Sequence, residues 1–158
     1  MRDSTAFDKA FKHLENCNLS DRVKVFNDSS ATVKEAAERL NCEEALIAKT
    51  MGFLINDKPI LIVAAGDAKI DNSKYKGEFK IKAKMIPYEL VLDLIGHEPG
   101  GVCPFGINDN IDVYLDDSLK RFSIVYPACG SANSAVELSI SDLELSSNYI
   151  KWIDVCKY

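Results

Sequence analysis

Two apolar runs, TMGFLI (residues 50–55) and PILIVAA (residues 59–65), flank the turn Asn56-Asp57-Lys58-Pro59 and constrain this chain more than any other feature. Turn-forming residues between two β-prone runs predict an antiparallel hairpin. Neither run alternates with polar residues, so both strands are expected to be central and covered on both faces. A hairpin of that kind must be enclosed by helices and further strands. At 158 residues the chain is long enough to do so as one domain with a real core. With 47% hydrophobic and 27% charged residues it has ordinary globular composition, which excludes a disordered, collagen-like or coiled-coil chain.

The flanking sequence supplies the cover. TAFDKAFKHLEN (5–16) places Phe7, Ala10, Phe11 and Leu14 at helical spacing. RVKVF (22–26) alternates like a short strand. In SSATVKEAAERLN (29–41), Thr32 and Glu35 form a capping-box pattern ahead of an Ala/Leu-faced helix. CEEALIA (42–48) reads as a helical turn leading into Lys49, and DNSKYKGEF (71–79) as a short helix. FKIKAKM (79–85) alternates as a strand would, and Pro87 opens a helix running to Ile95. IDVYLD, FSIVYPA, SAVELSI and YIKWIDV then read as strands, with DDSLKR and SDLELSS as helical turns between them. The expected architecture is one mixed α/β domain over residues 1–158, with residues 1–20 forming an N-terminal helical segment. Its sheet is too rich in hairpins to be doubly wound.

Several functional classes drop out. The longest purely apolar run, Ile60–Ala65, falls far short of a membrane span, and the N-terminus has no signal-peptide core. A soluble cytoplasmic protein with no membrane partner is therefore expected. The five cysteines (17, 42, 103, 129, 156) include no CxxC pair, and the two histidines (13, 97) are far apart, so neither a zinc site nor any other metal is expected. GxxxxGK[ST], GxGxxG, HExxH and GxSxG are all missing, which leaves no nucleotide cradle or other cofactor motif. Net charge is −5, but residues 68–86 carry six lysines against Asp71 and Glu78, a local +4 on a body of −9. Lys80, Lys82 and Lys84 in that stretch are either a solvated face or a surface for a polyanion.

Three stretches carry candidate chemistry. GHEPGGVCPFG (96–106) holds four glycines and two prolines, more than a joint between two elements needs. In LIAKTMGFLI, Lys49 places a lone amine beside the core. It reads either as a helix C-terminal cation or as a partly desolvated lysine that binds an anion or polarises a carbonyl. YPACGSANSAVEL (126–138) is a small-residue loop, either a plain turn or a wall whose amides and Ser131 hydroxyl face a ligand. Cys103 and Cys129 lie in these loops and raise a thiol nucleophile as a further option, which would require an electropositive neighbour.

Taken in order, TVKEAAERLNCEEALIAKTMGFLI, PILIVAAGDAKID, IGHEPGGVCPFG and YPACGSANSAVELSISDL resemble the YbaK/EbsC family, the editing domains associated with prolyl-tRNA synthetase. The resemblance covers about residues 20–156. It implies a curved, mostly antiparallel mixed sheet flanked by helices. It also implies a free-standing deacylase that hydrolyses the ester of misacylated tRNA, with Cys-tRNA(Pro) or Ala-tRNA(Pro) as substrate and prolyl-tRNA synthetase as a further partner. The family's signature lysine falls on Lys49, its glycine-rich substrate loop on Gly96, Pro99, Gly100 and Gly101, and its small-residue loop on Ala128, Gly130 and Ser131. Cys103 decorates the first loop as a substrate-binding position, and Cys129 interrupts the second. Met51, Phe53, Cys103 and Phe105 are expected to set pocket volume. No strong base lies near these loops, so a positioned water or a hydroxyl or thiol of the substrate would attack. The rival readings are a non-catalytic module that binds an aminoacyl group, a metabolite or a synthetase in the same pocket, and a hydrolase using Cys103 or Cys129.

Overall fold

The computed structural model describes residues 5–158, so the first four residues of the expected N-terminal segment lie outside the described residues. Helix α1 (Ala6–Asn16) starts where Thr5 caps it, its hydroxyl accepting from the Asp8 amide, and it buries the apolar face expected of it through Ala10 and Leu14. Strand β1 (Val23–Val25) leads to α2 (Val33–Leu40), where the Thr32/Glu35 capping box forms in full and Asn41 ends the helix in the left-handed region.

The hairpin is the centre of the molecule. Strands β2 (Ile47–Ile55) and β3 (Lys58–Ala65) pair antiparallel in register from Ala48↔Ala65 to Ile55↔Lys58. The turn is two residues long, Asn56-Asp57, and both sit at positive φ as a type I′ hairpin requires, so Lys58 and Pro59 belong to β3. Residues Ile60–Ala65 of β3 are buried throughout, as the unbroken apolar run predicts.

After the short strand β4 (Lys69–Ile70) come α3 (Asn72–Phe79), α4 (Val91–Ile95), β5 (Asp112–Asp116), β6 (Ile124–Pro127), β7 (Ser134–Val136) and β8 (Leu138–Ser139). Helix α5 (Ile140–Ser146) and strands β9 (Lys151–Ile153) and β10 (Cys156–Lys157) complete the chain. A curled six-stranded half-barrel sheet runs β8-β6-β2-β3-β5-β9, and two ribbons, β1-β7 and β4-β10, stand beside it. Among the described residues the pairings β2-β3, β6-β8, β1-β7 and β4-β10 are antiparallel. Within the main sheet, β2-β6, β3-β5 and β5-β9 are parallel, because long crossovers rather than turns bring those strands together. The class is therefore mixed α/β as expected, with more parallel pairing in the main sheet than a hairpin-rich reading implies. No helix among the described residues is long and apolar enough to cross a membrane.

Three local expectations fail for identifiable reasons. Residues 42–48 are not one helical turn running up to Lys49. Only Glu44–Leu46 are helical, in a 3₁₀ turn, and β2 begins at Ile47, so Lys49 is a strand residue and no helix C-terminus lies beside it. The alternating segment 79–85 does not form a strand. It meets β2 at one bridge, Phe53↔Met85, through Leu54 N–H to Lys84 O (2.8 Å) and Ile86 N–H to Gly52 O (3.0 Å). The helix expected from Pro87 to Ile95 is a 3₁₀ turn, Tyr88–Leu90, followed by the five-residue α4.

Candidate functional site

The outer edge of β2 is only partly paired. Its start, Ile47-Ala48, pairs with β6, and near its end Gly52 and Leu54 bond to the 84–86 segment. Backbone groups alternate sides along a strand, so the polar groups of Thr50 face the same side as those of Gly52 and Leu54, in the gap between the two partners. The hairpin reading, which expects both strands to be fully covered, misses this opening. Residues 49–52 are accordingly only half-buried, whereas the facing residues of β3 are buried.

The gap is the floor of a cavity of about 380 Å³, within the size range of small-molecule sites, roughly 300–1,000 Å³. Its walls come from four other stretches. Ser30, Ala31 and the start of α2 form one side, and Met85, Ile86, Tyr88 and Val91 another. Pro99, Gly100 and Val102 close it from the glycine loop, and Tyr126, Ala128, Ser134 and Ala135 from the β6–β7 region.

The residues singled out in the sequence divide into two groups. Lys49, Pro99, Gly100 and Ala128 line the cavity. Gly96, Gly101, Cys103, Gly130 and Ser131 stand behind it and hold its walls. Gly101 is where the two loops touch, since a Cβ there would lie 2.7 Å from the Ser131 amide nitrogen. Gly130 packs on α1 at Ala6, and Gly96 caps α4. The Ser131 hydroxyl bonds to Asn133 Oδ1 (2.9 Å) in its own loop and to Oγ of the cavity-lining Ser134 (2.6 Å), at the start of β7. Gly100, at φ +93°, approaches Ala31 so closely that a Cβ would lie 2.9 Å from the alanine methyl. Of the residues expected to set the volume, Met51 lines the cavity, whereas Phe53, Cys103 and Phe105 are core residues. Lys80, Lys82 and Lys84 are exposed on the segment running up to Met85.

The ammonium of Lys49 donates to the backbone carbonyls of Gly66 (3.5 Å) and Ala68, in the turn after β3. Burial lowers its pKa, and the neighbouring Cys156 and Asp67 act against that shift. Asp67 is itself tied to Arg121 by two hydrogen bonds (2.5 and 3.0 Å), chiefly because of which its carboxyl lies below the usual range. Two hydroxyl oxygens of cavity-lining residues, Ser30 Oγ and Thr50 Oγ1, are buried with no partner among the described residues. The sequence reading passes over both, since a lone serine and a lone threonine carry no motif.

The thiol option fails on geometry and charge. Neither Cys103 nor Cys129 lines the cavity, and both are fully buried. Burial raises the Cys103 pKa and pushes that of Cys129 up to about 12, the reverse of what a thiolate nucleophile needs. His97 Nδ1 accepts the Cys103 amide (3.3 Å), and burial lowers the imidazole pKa to about 4, so no imidazolium is available to activate a thiol. No group of three or more His, Cys, Asp or Glu able to hold a metal occurs among the described residues.

These features define a class: a mixed α/β domain with a small, largely apolar cavity opening on a broken sheet edge. The lining described contains a lysine and hydroxyls but no carboxylate, imidazole or thiol, so what it offers a reaction is positioning and one positive charge. The chain belongs to the aminoacyl-tRNA editing domain family, whose model matches residues 27–145. It is 51% identical over 146 residues to the uncharacterised protein YwhH of Bacillus subtilis (strain 168), covering 92% of this chain and 93% of that one. It is 28% identical over 128 residues to the proline–tRNA ligase of Bacillus cytotoxicus, matching 80% of this chain but only 21% of the ligase. Its fold superposes on that of a protein described as a candidate trans-editing enzyme for prolyl-tRNA synthetase, with a TM-score of 0.84 at 24% identity, covering 99% of this chain and all of the other. The hypothetical protein APE2540 gives the same TM-score at 26% identity, over 94% and 99% of the two chains.

Proposed function

We propose that this protein is a trans-editing deacylase that hydrolyses the ester of misacylated tRNA(Pro), with a small amino acid such as alanine or cysteine as the group removed. The observation that carries this reading is the gathering of Lys49, Pro99-Gly100 and Ala128 around one small cavity in a chain of the editing family. The similarity to a segment of proline–tRNA ligase supports tRNA(Pro) as the tRNA.

The lining residues limit how the reaction runs. Without a carboxylate or imidazole in the lining, the attacking oxygen belongs to a positioned water or to the substrate. That oxygen adds to the ester carbonyl carbon to give an oxyanion. The bond from carbon to the ribose oxygen then breaks, and the ribose oxygen takes the proton that the attacking group gives up. Lys49 and the amides at the edge of the cavity are the groups available to stabilise the oxyanion or hold the terminal ribose. Stabilisation of this kind is the largest catalytic contribution in many enzymes, and one donor is worth about 10²–10³ in rate.

Release of labelled amino acid from Ala-, Cys- and Ser-charged tRNA(Pro), with Pro-tRNA(Pro) as the control, tests the proposal. Rapid release from one mischarged species, lost in Lys49→Ala, is the expected result. Survival of every ester with the wild-type protein overturns it and favours a binding module that uses the same cavity.

A further inference from the structure

Large apolar side chains are rarely left exposed in a cluster without a use. Here Met85 (60% exposed), Tyr88 (77%), Leu90 and Leu92 all lie exposed within eight residues, at the cavity mouth or on the short helical segment leading from it. Met85 and Tyr88 themselves line the cavity. The ring of Tyr88 makes no hydrogen bond, ring contact or cation contact among the described residues. The exposed Tyr158, in contrast, lies 3.9 Å beneath the Arg121 guanidinium. Immediately upstream, Lys80, Lys82 and Lys84 are exposed and form no ion pair among the described residues, and Glu89 is the one acidic residue between positions 79 and 92. The path of this segment is fixed, because its backbone bonds to Gly52 and Leu54 of β2.

We propose that Tyr88, flanked by Met85, is a stacking platform for the base of the 3′-terminal adenosine of tRNA, with the lysines of 80–84 facing the phosphates behind it. Identifying the RNA as tRNA rests on the editing function proposed above. Aromatic faces beside a basic track are how proteins hold unpaired nucleotides without reading their sequence. Position also favours a base over a protein surface. A nucleoside whose ester enters the cavity must leave its base at the mouth, and the charge of the adjoining segment suits a polyanion.

The test uses uncharged tRNA(Pro), intact and lacking its terminal adenosine, in fluorescence anisotropy at low salt with wild type, Tyr88→Ala and Tyr88→Phe. Tyr88 is a surface residue, so the variants are expected to fold. Tyr88→Ala is expected to weaken binding of intact tRNA by roughly 5- to 150-fold, the range for loss of one stacked base, while Tyr88→Phe retains affinity. Removing the adenosine is expected to weaken wild type but to add little in Tyr88→Ala, as two halves of one contact should behave. Unchanged affinity in Tyr88→Ala overturns the proposal, as does an equal adenosine effect in both proteins. Loss of prolyl-tRNA synthetase association with tRNA affinity intact also overturns it and makes the patch a protein surface. Uncharged tRNA has no ester, so this result is independent of whether the protein hydrolyses one.

Discussion

Thr50 is a poor choice for folding at a position that lines the cavity. Its Oγ1 is buried without a partner among the described residues, on the strand that floors the cavity. A buried hydroxyl without a partner costs about 1–3 kcal/mol, whereas an apolar side chain of the same shape costs nothing of the kind. Valine has that shape and suits a strand. Thr50→Val is therefore expected to raise stability in urea by about 1 kcal/mol and to slow ester release about 10-fold, the worth of one hydrogen bond to substrate. A fall in stability would mean that the hydroxyl serves the fold.

His97 carries a pH dependence of definite sign. Burial holds its pKa near 4, below the value of 6.5 expected in the unfolded chain. Between those values the unfolded chain binds a proton that the fold refuses, so stability falls as pH drops from 6.5 towards 4, by up to about 3 kcal/mol. Asparagine would keep an acceptor for the Cys103 amide without titrating. His97→Asn should flatten the fall in unfolding free energy between pH 7 and 4.5 relative to wild type, whatever its stability at pH 7. At this scale the sequence was half legible. Lys49 stood out as an amine beside the core, but ALIA ahead of it resembles a helical turn as much as a strand, which misplaced its element. The roles of Gly101 and Gly130 were hidden because what they contact, Ser131 and Ala6, lies far away along the chain.

Among elements, the site depends on two loops interlocking behind the cavity wall. Gly101 and the Ser131 backbone approach so closely that alanine at 101 would place its Cβ within 2.8 Å of three Ser131 atoms. Backbone cannot swing aside as a side chain can, so Gly101→Ala is expected to cost about 1–3 kcal/mol as overpacking, and to reduce ester release by shifting Pro99-Gly100. Gly77, inside α3, is the control, because a Cβ there meets nothing within 4 Å. Gly77→Ala should raise stability by roughly 0.5–1 kcal/mol through helix propensity alone. Urea midpoints for the two variants should move in opposite directions. Elements with strong local rules were legible: the central hairpin, α1 and the capped α2 form where their patterns put them. FKIKAKM has the alternation of a strand, but an alternating pattern does not say whether a partner edge is free along its whole length. Here β2 offers one bridge, and leaving the rest unpaired is what opens the cavity.

For the molecule as a whole, the question is how a chain of net charge −5 would engage the polyanion that the proposed function requires. If the overall field decided the matter, any two charge reversals would weaken tRNA binding alike. If the lysines on the segment running up to Met85 contact phosphates, position matters, because each lost contact removes released counterions and lowers the slope of log K against log salt by about 0.7–0.9. Lys82→Glu/Lys84→Glu and Lys9→Glu/Lys12→Glu change net charge equally, and all four side chains are exposed. The first pair lies on the segment that runs up to Met85 of the cavity wall and lines a separate hollow beside Asn56 and Asp57 of the hairpin turn, and the second lies on α1, where Lys12 already pairs with Glu15 at 3.1 Å. The expected result is a slope reduced by about 1–2 for the 82/84 variant, and a slope unchanged from wild type for the 9/12 variant even if its affinity falls modestly. Equal slopes in the two variants would assign attraction to the general field and return Lys82 and Lys84 to the role of a solvated face.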